Sequence, residues 1–246
     1  MIVEGNVSVK AAVTAGRRTV SCIYADERKQ DKDTRWILHR AEDKNIPVKR
    51  VSRDTIDEIA SGRTHGGLIA ETEGRVYQKE EDGLDGNQTF LCLIEGVEDP
   101  FNLGYIMRSL YSAGCTGLLM NQRDLSKVEP VILKSSAGAF DAMNIIMSED
   151  LPQSIEFYKE KGVYTYAAMR KDAISCFEAD YTMPSLIAIG GEMRGLSSSV
   201  RKCIDQNIYI PYANDFHMAL NAAGAAAVLG FEVYRQRTYV LPQNTN

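Results

Sequence analysis

The chain has 246 residues, 44% of them hydrophobic and 25% charged, with a formal net charge of -5, which is the composition of an ordinary globular protein of one large domain or two smaller ones. No apolar run approaches the ~20 residues that a bilayer span requires, and Met1-Ile-Val-Glu-Gly-Asn lacks the basic-then-apolar order of a secretory signal, so a cytoplasmic location is the default expectation. Cysteines at 22, 92, 115, 176 and 203 form no CxxC, and histidines at 39, 65 and 217 lack partners at ligand spacing, so reduced thiols and no metal centre are expected.

Before residue 80, apolar periodicity predicts a helix over 7–15, a strand over 20–25, a helix over 34–44 and a strand over 48–51. A helix over 55–61 and a strand over 68–71 follow, which together make a small α/β domain. Lys and Arg outnumber Asp and Glu over 1–50, and the reverse holds over 51–86; a basic amino-terminal face and an ordinary solvated surface both account for this. The stretch Glu80-Glu-Asp-Gly-Leu-Asp-Gly-Asn-Gln88 has glycines and acids without apolar periodicity. It predicts a linker at 80–88 between a domain of 1–79 and one of 89–246.

Beyond the linker, apolar strands are predicted over 90–94, 117–120, 144–147, 163–168, 186–189 and 208–210, alternating with helices. Near-continuous apolar strands separated by helices imply a parallel sheet covered on both faces. A last helix over about 217–236 carries Ala222-Ala-Gly-Ala-Ala-Ala227, small residues that let another helix approach closely, either within the domain or across a dimer.

Three segments of this second domain carry polar residues at strand ends, where open α/β sheets bind ligands. The first is Glu95-Gly-Val-Glu-Asp-Pro-Phe-Asn-Leu-Gly-Tyr-Ile-Met-Arg-Ser109. There Asn102 is expected to cap a helix that carries Arg108, with its five permanently charged donors, in its second turn. The second is Leu186-Ile-Ala-Ile-Gly-Gly-Glu-Met-Arg-Gly-Leu196, a strand whose glycine turn can press bare backbone against a small molecule. The third runs from Ile208-Tyr-Ile-Pro-Tyr212 to Ala219-Leu-Asn221. No GxG occurs anywhere in the chain, which disfavours a Rossmann-type nucleotide enzyme. Taken singly, Asn102 and Asn221 read as helix caps, Arg108 as a surface arginine, Glu192 as a turn residue, His65 as a loop histidine, and Tyr209 and Tyr212 as packing residues.

In this order the three segments resemble the motifs of the SpoU, or TrmH, branch of the SPOUT superfamily, which methylates ribose 2′-hydroxyls in RNA. The first motif is matched by Asp99-Pro100, Asn102-Leu103-Gly104 and Arg108, the second by Gly190, Glu192, Gly195 and Leu196, and the third by Ile210-Pro211, Leu220-Asn221 and the alanine-rich helix. Lys134-Ser-Ser-Ala-Gly-Ala139 is similar to a further family segment, and Thr64-His-Gly-Gly-Leu-Ile-Ala70 to the end of the family's ribosomal-protein-like RNA-binding domain. The resemblance implies a carboxyl-terminal trefoil knot, a rare topology. It also implies S-adenosylmethionine held by Gly190, Ile210 and Leu220, with Asn102, Arg108, Glu192 and Asn221 as catalytic residues and no metal. Two subunits would pair through knot helices, and the two-domain plan looks more like the ribosomal RNA enzymes than the transfer RNA ones. Arg108 would serve either as proton acceptor or, since guanidinium stays protonated, as a clamp on phosphate and on the developing oxyanion. Ala219 replaces the motif's serine, a departure that a non-catalytic RNA-binding paralogue would also show.

Overall fold

The computed structural model describes residues 1–215 and 218–239. It divides into two compact units, Met1–Tyr77 with Asp124–Ala142, and Gln78–Arg123 with the residues from Met143 onward.

The first unit opens with β1 (Ile2–Glu4), α1 (Asn6–Ala15), β2 (Val20–Asp26), α2 (Lys32–Asp43), β3 (Val48–Val51), α3 (Arg53–Ile59) and β4 (Leu68–Thr72). Its sheet has the order β1-β4-β2-β3, with β2 and β3 parallel and the other pairs antiparallel. Helices α2 and α3 begin where side chains satisfy their free N–H groups: Asp31 Oδ1 accepts from the Thr34 N–H at 2.9 Å and Ser52 Oγ from the Thr55 N–H at 3.2 Å. The three-residue β1 is too short to show a period of two, and the sequence did not suggest it.

Two helices from much later in the chain complete this unit: α5 (Glu129–Ser135) and α6 (Ala139–Ala142). The turn between them explains the Lys134–Ala139 segment physically. Gly138 has φ +86°, and a Cβ there would lie 2.8 Å from the Ala11 Cβ of α1, so only glycine lets the turn rest on that helix. Beside it, the fully buried Arg18 guanidinium donates to Asp141 through Nε at 2.8 Å and Nη2 at 2.6 Å, and to Glu129 through Nη1 at 3.0 Å. Arg18 therefore belongs to the core and adds nothing to a basic face.

The second unit contains β5 (Phe90–Glu95), α4 (Pro100–Ser112), β6 (Gly117–Asn121), β7 (Ile145–Ser148), α7 (Leu151–Glu160), β8 (Tyr164–Ala168) and β9 (Ala173–Ser175). It ends with β10 (Ser185–Gly190), α8 (Ser198–Lys202), β11 (Gln206–Tyr209) and α9 (Ala222–Thr238). All seven strands pair in parallel in the order β7-β6-β5-β10-β8-β11-β9. The sheet is covered on both faces, so β5 and β10 are buried along almost their whole lengths. The 80–88 stretch begins with a 3₁₀ turn at Glu80–Gly83, tied down by Tyr158 Oη donating to the Glu80 carbonyl at 2.9 Å and Ser154 Oγ to Glu80 Oε1 at 3.0 Å.

The last helix differs from its expected span. It starts at Ala222, because Asn221 sits in an extended conformation and caps it, and residues 218–220 are not helical; 216 and 217 lie outside the described residues. Beyond the alanine run, Gly230 packs within the chain. A Cβ at Gly230 would meet Ala113 Cβ at 3.2 Å and Leu110 Cδ2 at 3.3 Å, so α9 lies close on the end of α4 and leaves Val228, Phe231 and Tyr234 exposed. Among the described residues no helix is long and apolar enough to cross a membrane.

Candidate functional site

The site is assembled where the central strands end. β5 and β10 are in register, with Glu95 beside Gly190, so the loops leaving them emerge together. They are stitched by two bonds from one residue: the Glu95 carbonyl accepts from the Gly191 N–H at 2.7 Å, and its carboxylate Oε2 accepts from the Ser197 N–H at 2.7 Å. The 190–196 loop then folds on itself. Gly195 N–H donates to the Gly191 carbonyl at 2.9 Å, and Gly195 takes φ +62°, which an L side chain adopts only with strain. A Cβ at Gly190 would fall 2.4 Å from the Gly195 carbonyl carbon, and one at Gly191 2.0 Å from the Gly96 carbonyl oxygen. Where the two loops meet, and where the second folds on itself, bare backbone is therefore in contact.

Two clefts flank the loop. One, of about 450 Å³, is lined by Gly190, Gly191, Gly195 and Leu196, by Ile208 and Ile210 after β11, and by Ala219, Leu220 and Ala225. Its remaining polar lining includes Arg170 and Arg201. Arg170 lies 4.8 Å from the Tyr212 ring, whose hydroxyl accepts from the Leu220 N–H at 2.8 Å and so ties down the far wall. The other cleft, of about 600 Å³, is lined by Glu95, Glu98, Asp99, Asn102 and Asn121. Glu192, Arg194, Gly195 and Ala222 line both. Both volumes fall in the range of small-molecule sites.

Gly190, Ile210 and Leu220, named from the motifs, all line the first cleft. Asn102 and Glu192 meet on the second. Asn102 does not cap α4: Asp99 does, its Oδ2 accepting from the Asn102 N–H at 2.8 Å. Pro100 takes the first helical position, where a missing N–H costs nothing, and the cap therefore lies three residues earlier than Asn102 suggests. Arg108 lies in the third turn of α4 rather than the second, and it lines neither cleft. It is exposed on one stripe with Phe101, Tyr105 and Tyr111, and makes no ion pair among the described residues. Asn221 lines neither cleft, and its Oδ1 accepts from the Gly224 N–H at 2.7 Å as the cap of α9. His65 is buried, with Nε2 2.8 Å from Asp57 and Nδ1 accepting from the Gly67 N–H at 3.3 Å, so its own domain uses both nitrogens.

Sequence reasoning passed over Arg194 and Asn121. Arg194 stands inside the second motif at a position the motif leaves open, and Asn121 is simply the last residue of β6; neither carries a signal apart from its place at a strand end. No group of three or more His, Cys, Asp or Glu able to hold a metal occurs among the described residues.

Comparison with known proteins agrees along the whole chain. Residues 89–231 match the SpoU rRNA Methylase family, and residues 2–78 match the RNA 2′-O ribose methyltransferase substrate binding family. A 23S rRNA (guanosine-2′-O-)-methyltransferase RlmB of Xylella fastidiosa is 30% identical over 209 residues, covering 83% of this chain and 84% of that one. A Staphylococcus haemolyticus protein assigned provisionally to the TrmH family of tRNA/rRNA methyltransferases is 29% identical over 248 residues, covering 98% of this chain and 97% of its own. The structure of the SpoU methyltransferase AviRb from Streptomyces viridochromogenes in complex with the cofactor AdoMet superposes with a TM-score of 0.81 at 22% identity, covering 98% of this chain and 91% of that one. The fold is thus the knotted SpoU arrangement.

Proposed function

Because the chain belongs to the SpoU family of RNA methyltransferases, we propose that it transfers a methyl group from S-adenosylmethionine to a ribose 2′-hydroxyl in RNA, and in ribosomal rather than transfer RNA. The observation that carries this reading is the pair of clefts sharing Glu192, Arg194 and Gly195. Methyl transfer needs two ligands meeting at one wall, and the loop supplies that wall.

The first cleft fits the cofactor. Its glycine backbone offers close approach and peptide hydrogen-bonding groups, and Leu196, Ile208, Ile210 and Leu220 offer apolar surface. S-adenosylmethionine, when bound, supplies the methyl group from a sulfonium centre. Gly190, Ile210 and Leu220 hold and orient it. The target nucleotide enters the second cleft, where Asn102 and Glu192 bear on the ribose and fix the hydroxyl for in-line attack. Forming the new O–C bond would break the methyl–sulfonium bond and pass the hydroxyl proton to water, and charge on that oxygen needs a hydrogen-bond donor.

Arg108 enters this scheme across a two-fold axis. The exposed aromatic stripes of α4 (Phe101, Tyr105 and Tyr111) and α9 (Phe231 and Tyr234) form an apolar surface of the kind that marks association. We propose that they pair two copies of the chain, so that each Arg108 serves its partner's second cleft as phosphate and oxyanion clamp.

The test is transfer of tritium from labelled S-adenosylmethionine to total RNA taken from cells lacking the gene, with nuclease mapping of the product. Label in a nuclease-resistant ribosomal RNA dinucleotide is the expected result. Label in a base overturns the 2′-O assignment, and label confined to transfer RNA overturns the preference for ribosomal RNA. Cofactor binding without transfer would favour the non-catalytic reading, for which Ala219, lining the first cleft without a hydroxyl, is the supporting observation.

A further inference from the structure

Within a single chain, before any partner's Arg108 is added, the second cleft has a charge problem. Glu95, Glu98, Asp99 and Glu192 all line it, and among the described residues Arg194 is the only cation that does. A phosphodiester approaching four carboxylates is repelled, and a partly enclosed cleft screens that repulsion less than open water does. Two of the four are already engaged by the fold, Glu95 by the Ser197 N–H at 2.7 Å and Asp99 by the Asn102 N–H at 2.8 Å. Those bonds hold the carboxylates in place without cancelling their charge.

Resting on the proposed function, we propose that Arg194 grips the RNA phosphate next to the target ribose from within the same chain. Three observations converge on this residue. It lines both clefts, and so stands where the two ligands must meet. Its side chain is exposed and makes no ion pair among the described residues. Its backbone is fixed, because the turn closes immediately after it through Gly195, at φ +62° with its N–H on the Gly191 carbonyl at 2.9 Å. A guanidinium held at one point, with five donors in a planar fork, suits bidentate capture of a phosphate. Neither Arg170 nor Arg201 replaces it, since both line only the cofactor cleft.

The test compares the parent with Arg194→Ala and Arg194→Lys, using total RNA from cells lacking the gene and S-adenosylhomocysteine as the cofactor probe. Circular dichroism checks that each variant folds, and Arg194→Lys serves where Arg194→Ala does not. The expected result for Arg194→Ala is a KM for RNA raised about tenfold or more, with cofactor affinity within about threefold of the parent by calorimetry. The slope of log RNA affinity against log salt should fall by about one. Arg194→Lys should recover the salt slope and only part of the loss in kcat/KM, because an ammonium keeps the charge and loses the fork. Parental KM and salt slope in Arg194→Ala would overturn the inference, and so would loss of cofactor affinity with RNA binding unchanged, which would assign Arg194 to the cofactor instead. No methyl transfer by the parent would instead overturn the function on which the inference rests.

Discussion

At the scale of single residues, the site depends more on absent side chains than on present ones. Gly191 is the clearest case, since a methyl group there would lie 2.0 Å from the Gly96 carbonyl oxygen, where backbone opposes it rather than a side chain that can turn away. Gly191→Ala should therefore part the two loops and reduce affinity for S-adenosylhomocysteine at least tenfold by calorimetry, even if the folded population survives; unchanged affinity would mean the loops yield freely. Asn221 allows a separation of roles. As the cap of α9 its replacement by alanine should cost about 1 kcal/mol in urea unfolding. If capping is all it does, methylation at a temperature well below the transition should stay near the parental rate; a loss of a hundredfold would restore it to the chemistry.

At the scale of elements, α4 and α9 matter most. Arg108 shares its stripe with exposed aromatics and lines neither cleft of its own chain, so sharing across a dimer can be tested by mixing. Arg108→Ala and Glu192→Ala, each inactive alone, should regain activity when co-folded, since about half the dimers are mixed and each mixed dimer carries one complete site of two, about a quarter of parental activity. No recovery would mean that Arg108 acts within its own chain. Elements governed by local pattern were legible beforehand: β3 has the span its sequence suggests, β5 is one residue longer at one end and β10 one residue longer at each end. The three-residue β1 and β9 were not, because three residues carry no period. The motif residues around the glycine loop were legible only jointly, each alone being an ordinary cap or turn. Arg194 was hidden because its meaning comes from the charges around it, three of which, Glu95, Glu98 and Asp99, lie about a hundred residues away in sequence.

At the scale of the molecule, burial of titratable groups sets an alkaline limit. Burial pushes the Cys115 thiol up to about 12 and Cys176 to about 11, and it raises the Tyr77 and Tyr166 phenols to about 12. Each group ionises more readily in the unfolded chain, from ordinary values of 9.0 for the thiols and 10.0 for the phenols. Their contribution is thus intact below about pH 9 and is lost as pH rises toward 12. The urea midpoint should stay level from neutrality to about pH 9 and then decline, and Cys115→Ala should flatten the first part of that decline; the same slope in parent and variant would exclude this thiol as a source. The discontinuous first unit bears on the order of synthesis. Arg18 leaves the ribosome more than a hundred residues ahead of Glu129 and Asp141, the carboxylates that neutralise it. The nascent first unit must wait, incomplete, while β5 and β6 of the second are made. A cut in the 80–88 stretch would not release a finished domain but one with an uncompensated guanidinium inside it, a defect worth several kcal/mol.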